Sequence, residues 1–452
     1  MSRRLLLIVV CALCAACKTY DQYLEPVQRA YYDNSPEEAV TLLEKYLEGG
    51  MSGPGEYDFE LLKLELASAL QAAGRYKRAS TMLEEVDGTL EVLDYSNTSA
   101  QDIANFLFAT KNPWRATPPE RLLVNSQGMV NRLAQDKNPD RYQEAAVEAR
   151  RLGILLEAGQ FSEDELFANR FASGMAGFCF EANGNRGEAE EAWSLLDGAN
   201  PFARGEAAGG AADGAADGEG ETGSVLVVVQ MGKAPIRREF RVSLFVDAKL
   251  YTLRMPVIVD RPDTYSSARV FVDGVDHGPL ENVFDLGQHL KAQYERDRGK
   301  LLAAAATQLV SRAVMARSVR EVSQGGEKND DFAGFFVEFL ASLFLAELQP
   351  PDTRCWSLVP QAFHVKRLEL PPGQHTIEVA LDGRQRRRKT YTVDVAPRQP
   401  RLVNVVSDCY RTWSEKEEKR LDAYAEPTPE EVAEWEGIDE AEAEIRRAVG
   451  GS

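Results

Sequence analysis

The spacing of hydrophobic positions changes once along this chain, and the change divides it. From Tyr20 to about Phe202 apolar residues return at helical intervals. Leu61, Leu62, Leu64, Leu66, Ala69 and Leu70 line one helix face, Gly74 interrupts, and Tyr76, Ala79, Met82 and Leu83 mark the inner face of a second helix. Beyond residue 223 the period shortens to two. Val225 to Met231 is an apolar, β-branched run, and Arg237, Glu239, Arg241 and Ser243 alternate with Arg238, Phe240, Val242 and Leu244. Leu250 to Val259, Ala268 to Val272, Ala362 to Leu370, Gln374 to Leu381, Lys389 to Val395 and Arg401 to Val406 read as further strands. Between them, Leu286 to Val322 returns to helical spacing. Phe332 to Leu348 is apolar almost all round, which predicts a buried helix or one facing a membrane or a second copy.

The pattern predicts an α+β multidomain chain. Residues 17–202 form an irregular α-helical hairpin array or a plain helical bundle. A β-sandwich-like domain follows in two parts, 224–282 and 351–411, around a helical insertion, 283–350. Residues 203–223 are nearly all Ala, Gly, Asp and Glu. Such a stretch buries too little surface to offset its ordering entropy, so a flexible acidic linker holding the two modules at variable distance is expected. Inside it Gly218-x-Gly220-x-x-Gly223 matches a dinucleotide pattern, but a strand follows where a helix is required. Residues 412–452 form an acidic, mostly solvated tail; from Trp413 on it has thirteen acids against five bases.

Composition narrows the function. The chain has 452 residues, is 44% hydrophobic and carries a net charge of −19, which excludes wholesale disorder and argues against nucleic-acid wrapping. Six cysteines are too few for a disulfide scaffold. Cys355 and Cys409 flank a β-rich stretch and are candidates for one disulfide, while Cys179, among Met175, Phe178 and Phe180, reads as a buried small hydrophobe. The four histidines are scattered, and no nucleophile elbow or phosphate-binding lysine loop occurs. No catalytic residue, cofactor or metal site is therefore expected. A hydrolase whose carboxylates meet only in three dimensions stays open.

Two clusters are candidate binding residues. Asp352, Arg354 and Trp356 would either hold a sugar face or an anionic group, or pin a loop by an ion pair with Trp356 in the core. Arg386, Arg387 and Arg388, within the basic stretch Arg384 to Lys389, would either attract lipid phosphates, lipopolysaccharide or an acidic partner, or protect an edge strand with charge.

Arg3 and Arg4 precede an apolar run, Leu5 to Leu13, and small residues up to Cys17, which has the form of a secretory signal over residues 1–16. Cys14-Ala15-Ala16-Cys17 resembles the lipobox of bacterial lipoproteins, although Cys14 stands where Leu is usual. The resemblance implies acylation of Cys17, and Lys18 after it implies an outer-membrane, periplasm-facing location in a Gram-negative cell. The acidic bulk would then be held off anionic bilayer surfaces. Gly74-x-Tyr76-x-x-Ala79-x-x-x-Leu83 resembles the turn and second helix of a tetratricopeptide repeat, with echoes at Ala39 and at Gly184 to Trp193. The spacing of Gly74 and Gly184 is no multiple of about 34 residues, so the array is irregular. Ala268-x-Val270-x-Val272-Asp273-Gly274 and Leu370-Pro371-Pro372-Gly373-x-His375-Thr376-Ile377 resemble the two halves of a PEGA-type module. Pro119 to Asn125, Val147 to Arg150, Gly232-x-Ala234-Pro235 and Asp352-Thr353-Arg354-Cys355-Trp356 look like an uncharacterised proteobacterial lipoprotein family pairing such helices with a C-terminal β region. These likenesses imply a membrane-anchored scaffold for an envelope protein partner, or a module for peptidoglycan or surface glycan, with no nucleic acid involved.

Overall fold

The computed structural model describes residues 20–49, 55–94, 113–157, 170–196, 198–204, 222–246, 249–325, 351–397 and 399–407, with positions 432, 439, 443, 446 and 447. Cys17, Cys409, Phe332 to Leu348, most of the acidic linker and nearly all of the tail lie outside them.

Helices fill the first half. They are α1 (Tyr20–Tyr32), α2 (Pro36–Leu47), α3 (Phe59–Ala72), α4 (Tyr76–Asp94), α5 (Pro118–Leu133), α6 (Arg141–Glu157), α7 (Arg170–Ala182) and α8 (Arg186–Ser194). Three hairpins share one turn. Asn34, Gly74 and Gly184 adopt positive φ, and the next residue donates its N–H five residues back: Ser35 to Ala30, Arg75 to Leu70, Asn185 to Phe180. That left-handed cap satisfies carbonyls the ending helix leaves open. Five positions after each turn residue stands a buried alanine, Ala39, Ala79 or Ala189, where a larger side chain would hold the paired helices apart.

The second half is β-rich. Its strands are β1 (Gly223–Met231), β2 (Ile236–Val246), β3 (Lys249–Val259), β4 (Tyr265–Val272), β5 (Val275–Pro279), β6 (Glu281–Asp285), β7 (Ala362–Leu370), β8 (Gly373–Gly383), β9 (Arg386–Val395) and β10 (Arg401–Val406). One sheet has the order β10-β1-β7-β6, a second β5-β4-β8-β9, and β2-β3 pair as a separate hairpin. β1 runs parallel to β10 and antiparallel to β7. Strands from before and after residues 286–350 therefore alternate in the first sheet and meet at the β4–β8 pair in the second. The two PEGA-like half-motifs become neighbours, with Val272 opposite Ile377 and the Asp273 carboxylate accepting from Thr376 N–H at 2.8 Å. The expected helical insertion begins as one long helix, α9 (Leu286–Gly325), whose start packs against β3.

The apolar run of β1 is explained by burial on both sides. Val225, Val227 and Val229 join Val270 of β4 and Val379 of β8 in a cluster between the two sheets. Leu226 and Val228, with Phe363 and Val365 of β7, join the helical core instead. Helices, first sheet and second sheet thus form three layers. This corrects the expectation of modules held at variable distance: the helices and the first sheet share one core, and the linker connects parts that already touch.

α5 lies at the centre and is buried along almost its whole length. Thr117 caps it, its N–H donating to Glu120 Oε2 at 2.8 Å. Several of the polar residues that this burial encloses bond one another. Gln71 Nε2 donates to Gln127 Oε1 and Asn131 Oδ1, both at 2.9 Å, and Gln127 Nε2 donates to Gln230 Oε1 of β1 at 2.9 Å. Gln230 Nε2 continues the chain to Asn404 Oδ1 of β10 at 2.9 Å.

Candidate functional site

The most concentrated polar chemistry surrounds the connection leading into β7, residues 351–361. Asp352 Oδ1 accepts from both the N–H and Nε of Arg354 at 2.9 Å, and its Oδ2 from Nη2 at 2.8 Å. Arg354 Nη1 reaches Asp58 Oδ1 at 3.0 Å, in the turn before α3. Arg237 of β2 donates to the Arg354 carbonyl at 3.2 Å. Trp356 is 2% exposed, and its Nε1 donates to Ser68 Oγ of α3 at 2.9 Å. The sequence motif is therefore an internal staple. A ring this deeply enclosed offers no face to a sugar, and the guanidinium fork is filled by two carboxylates; the placement goes with the loop-pinning reading.

Residues that the sequence reading passed over complete the staple. Glu65 of α3 has no solvent exposure and accepts from Ser357 N–H at 2.6 Å and Leu358 N–H at 2.8 Å. Arg261 donates to the carbonyls of Ala234 (2.7 Å) and Ser357 (2.6 Å) and to Tyr32 Oη of α1 (3.2 Å). Lys233 Nζ lies 4.3 Å from the Tyr32 ring centroid. Burial pushes the Glu65 carboxyl up to about 7, against the opposing pull of the two N–H donors. Asp21, at the start of α1 and hydrogen-bonded to Thr353, is likewise pushed up to about 7 by burial. Glu65 left one trace in the sequence, an acid inside the apolar stripe of α3.

Cys355 is a buried thiol pushed up to about 12 by desolvation, which makes it a poor nucleophile. Its candidate disulfide partner, Cys409, lies outside the described residues. The basic stretch falls on β9, at the edge of the second sheet. Arg386 pairs with Asp382 at 3.1 Å; Arg388 pairs with Glu378 at 2.6 Å and stacks 5.3 Å from the Phe271 ring centroid. Cross-strand acids thus offset these cations, as on an edge guarded by charge. Arg387 is exposed beside them.

A cleft of about 410 Å³ opens beside the staple, lined among others by Asp260, Arg261, Asp263, Lys291, Gln361 and Arg384. Its two carboxylates are engaged: Asp260 with Lys291 at 2.6 Å, Asp263 with Lys233 N–H at 3.2 Å. Burial raises the Asp263 carboxyl above its ordinary range. Among the described residues no three His, Cys, Asp or Glu side chains converge as metal ligands, and no helix is long and apolar enough to cross a membrane. Helix positions that could have lined a partner groove are taken up within the chain. Tyr142 donates to the Pro400 carbonyl at 2.8 Å, Trp193 Nε1 to the Gly174 carbonyl at 3.3 Å, and Tyr76 hydrogen-bonds Asn404. No family model, curated protein or solved structure matches the chain.

Proposed function

We propose that this chain is a non-enzymatic, lipid-anchored cell-envelope protein that serves as a scaffold for protein–protein contact. The observation that carries the reading is the N-terminal segment: Arg3 and Arg4, the apolar run Leu5 to Leu13, and Ala15-Ala16-Cys17. Tetratricopeptide-like hairpins and a β-sandwich-like pair of sheets supply the body. Because the inner helical face is filled by β1 and β7, contact with a partner runs over outer surfaces, not in a helical groove. Supporting this, the densest charged cluster is spent on joining α1 and α3 to the β region.

Mass spectrometry of the mature protein from its own cells tests the anchor, with an acylated Cys17 as the expected N-terminus. Crosslinking in intact cells, repeated with Cys17→Ser, tests the scaffold: partner crosslinks should weaken when the anchor is lost. A bare terminus on a cytosolic protein would end the envelope reading. A second reading, binding of peptidoglycan or a surface glycan, is favoured by the open polar cleft at Asp260, Lys291 and Arg384. Retention of the whole mature chain on purified sacculi, reduced by Arg384→Ala, is its expected signature.

A further inference from the structure

The folded body begins almost at the proposed lipid. Lys18 and Thr19 alone separate Cys17 from Tyr20, the first residue of α1. Three Cα steps span at most about 11 Å. Tyr20 is buried, and Asp21 is bonded to Thr353, so α1 starts inside the fold and not on a leash. An acylated Cys17 would therefore hold one particular end of the molecule at the bilayer, contrary to the expectation of a body held away from it.

The elements at that end can be named. Asp58 acts electrostatically on Tyr20, and Arg354 ties Asp58 to Asp352 beside Thr353, so the turn before α3 adjoins the start of α1. α3 and α4 run antiparallel, with Lys63 and Glu85 3.3 Å apart, which brings the last turns of α4 alongside the first turn of α3. The tight turns at Asn34 and Gly74 lie at the opposite end of these hairpins. At the open end stand Tyr57 (42% exposed), Phe59 (37%) and Val92 (70%). Of the large hydrophobic side chains exposed among the described residues, Tyr57 and Phe59 are the aromatic ones; the rest are aliphatic. Aromatic rings beside a membrane attachment point suit the headgroup layer, where an apolar body and a polar rim are both satisfied.

We infer that the open end of the first two helical hairpins, carrying Tyr57, Phe59 and Val92, is the face that rests on the phospholipid bilayer. The inference depends on the acyl anchor at Cys17. Docking adds a second contact to the lipid chains and fixes which surfaces point away from the membrane, the turns at Asn34 and Gly74 among them.

Spin labels test it on the full acylated chain in vesicles of phosphatidylethanolamine and phosphatidylglycerol. Tyr57→Cys and Lys77→Cys, the latter an exposed position just after the Gly74 turn, are each made in a Cys409→Ser background, with acylation of Cys17 checked by mass spectrometry. The expected result is a ratio of oxygen to nickel-chelate collisions several-fold higher at position 57 than at 77. Equal, water-like ratios at both positions with the acyl group present would overturn the docking face and leave the anchor intact. An unmodified Cys17 would overturn the anchor and the docking face together. Thermal unfolding of both labelled proteins at the wild-type temperature shows that neither substitution has disturbed the fold.

Discussion

Glu65 stands among the buried leucines and alanines of α3, with Ser68 and Gln71 as the other buried polar residues there, and it holds the chain between α9 and β7 by two backbone N–H groups. Its carboxyl and that of Asp21 keep protons to about pH 7 in the folded state, whereas unfolded carboxyls lose them near pH 4. The folded state thus binds more protons across this interval, and the contribution of these two groups to stability falls as pH rises from about 4 to about 7. In Glu65→Gln the amide can accept only one of the two N–H bonds, which costs about 1–3 kcal/mol. The deficit should be largest near pH 5 and narrow toward pH 8, because the variant keeps only the Asp21 loss over that range whereas the wild type loses the Glu65 contribution as well. Denaturant melts at several pH values check the sign; a constant deficit would contradict it. Trp356→Ala removes a fully enclosed indole and should destabilise by about 3–5 kcal/mol in the same assay. The staple is structural in the plain sense that its members spend their polar groups on one another.

At the scale of elements, close approach of helices depends on particular small residues. A Cβ on Gly177 of α7 would lie 2.2 Å from Trp193 Nε1, and one on Gly174 would lie 2.1 Å from the Phe202 ring. Gly177→Ala should therefore lower stability by about 1–3 kcal/mol through overpacking. Trp193→Leu in the same chain should recover part of that loss, and a double-mutant cycle by calorimetry checks the coupling. The helical hairpins were legible because their signals are local: a turn residue, then alanine five positions on. Most strands were legible for the same reason, down to Leu250–Val259 and Arg401–Val406. Apart from the joining of Ala268–Gly274 to Leu370–Ile377, which their resemblance implied, pairing at a distance could not be read. Nothing in Val225–Met231 names Arg401–Val406 as its parallel neighbour, and nothing near Trp356 names Ser68 as its acceptor. The candidate residues Asp352, Arg354 and Trp356 were found by type and then assigned by burial, which sequence spacing does not record. The short strands β5 and β6 also carried no periodicity long enough to detect.

For the whole molecule, the shared core predicts cooperative behaviour. Calorimetry of residues 20–407 should show one main transition, with no separate melting of helices and sheets. Residues 224–407 alone would bare Leu226, Val228, Phe363 and Val365, and should aggregate where the whole chain stays soluble. Two resolved transitions, or a soluble β half, would count against this. The order of the strands adds a last consequence. β1 is the first strand made, yet its two neighbours, β7 and β10, are supplied near the end of the described chain. Synthesis proceeds from the N-terminus, so the helical layer must wait with its sheet-facing side bare until Val406 has emerged. A nascent chain halted anywhere before β10 is an adhesive half-product in need of an attendant chaperone. A stop codon after Ser407 should spare the body, whereas one before Arg401 should send it to proteolysis.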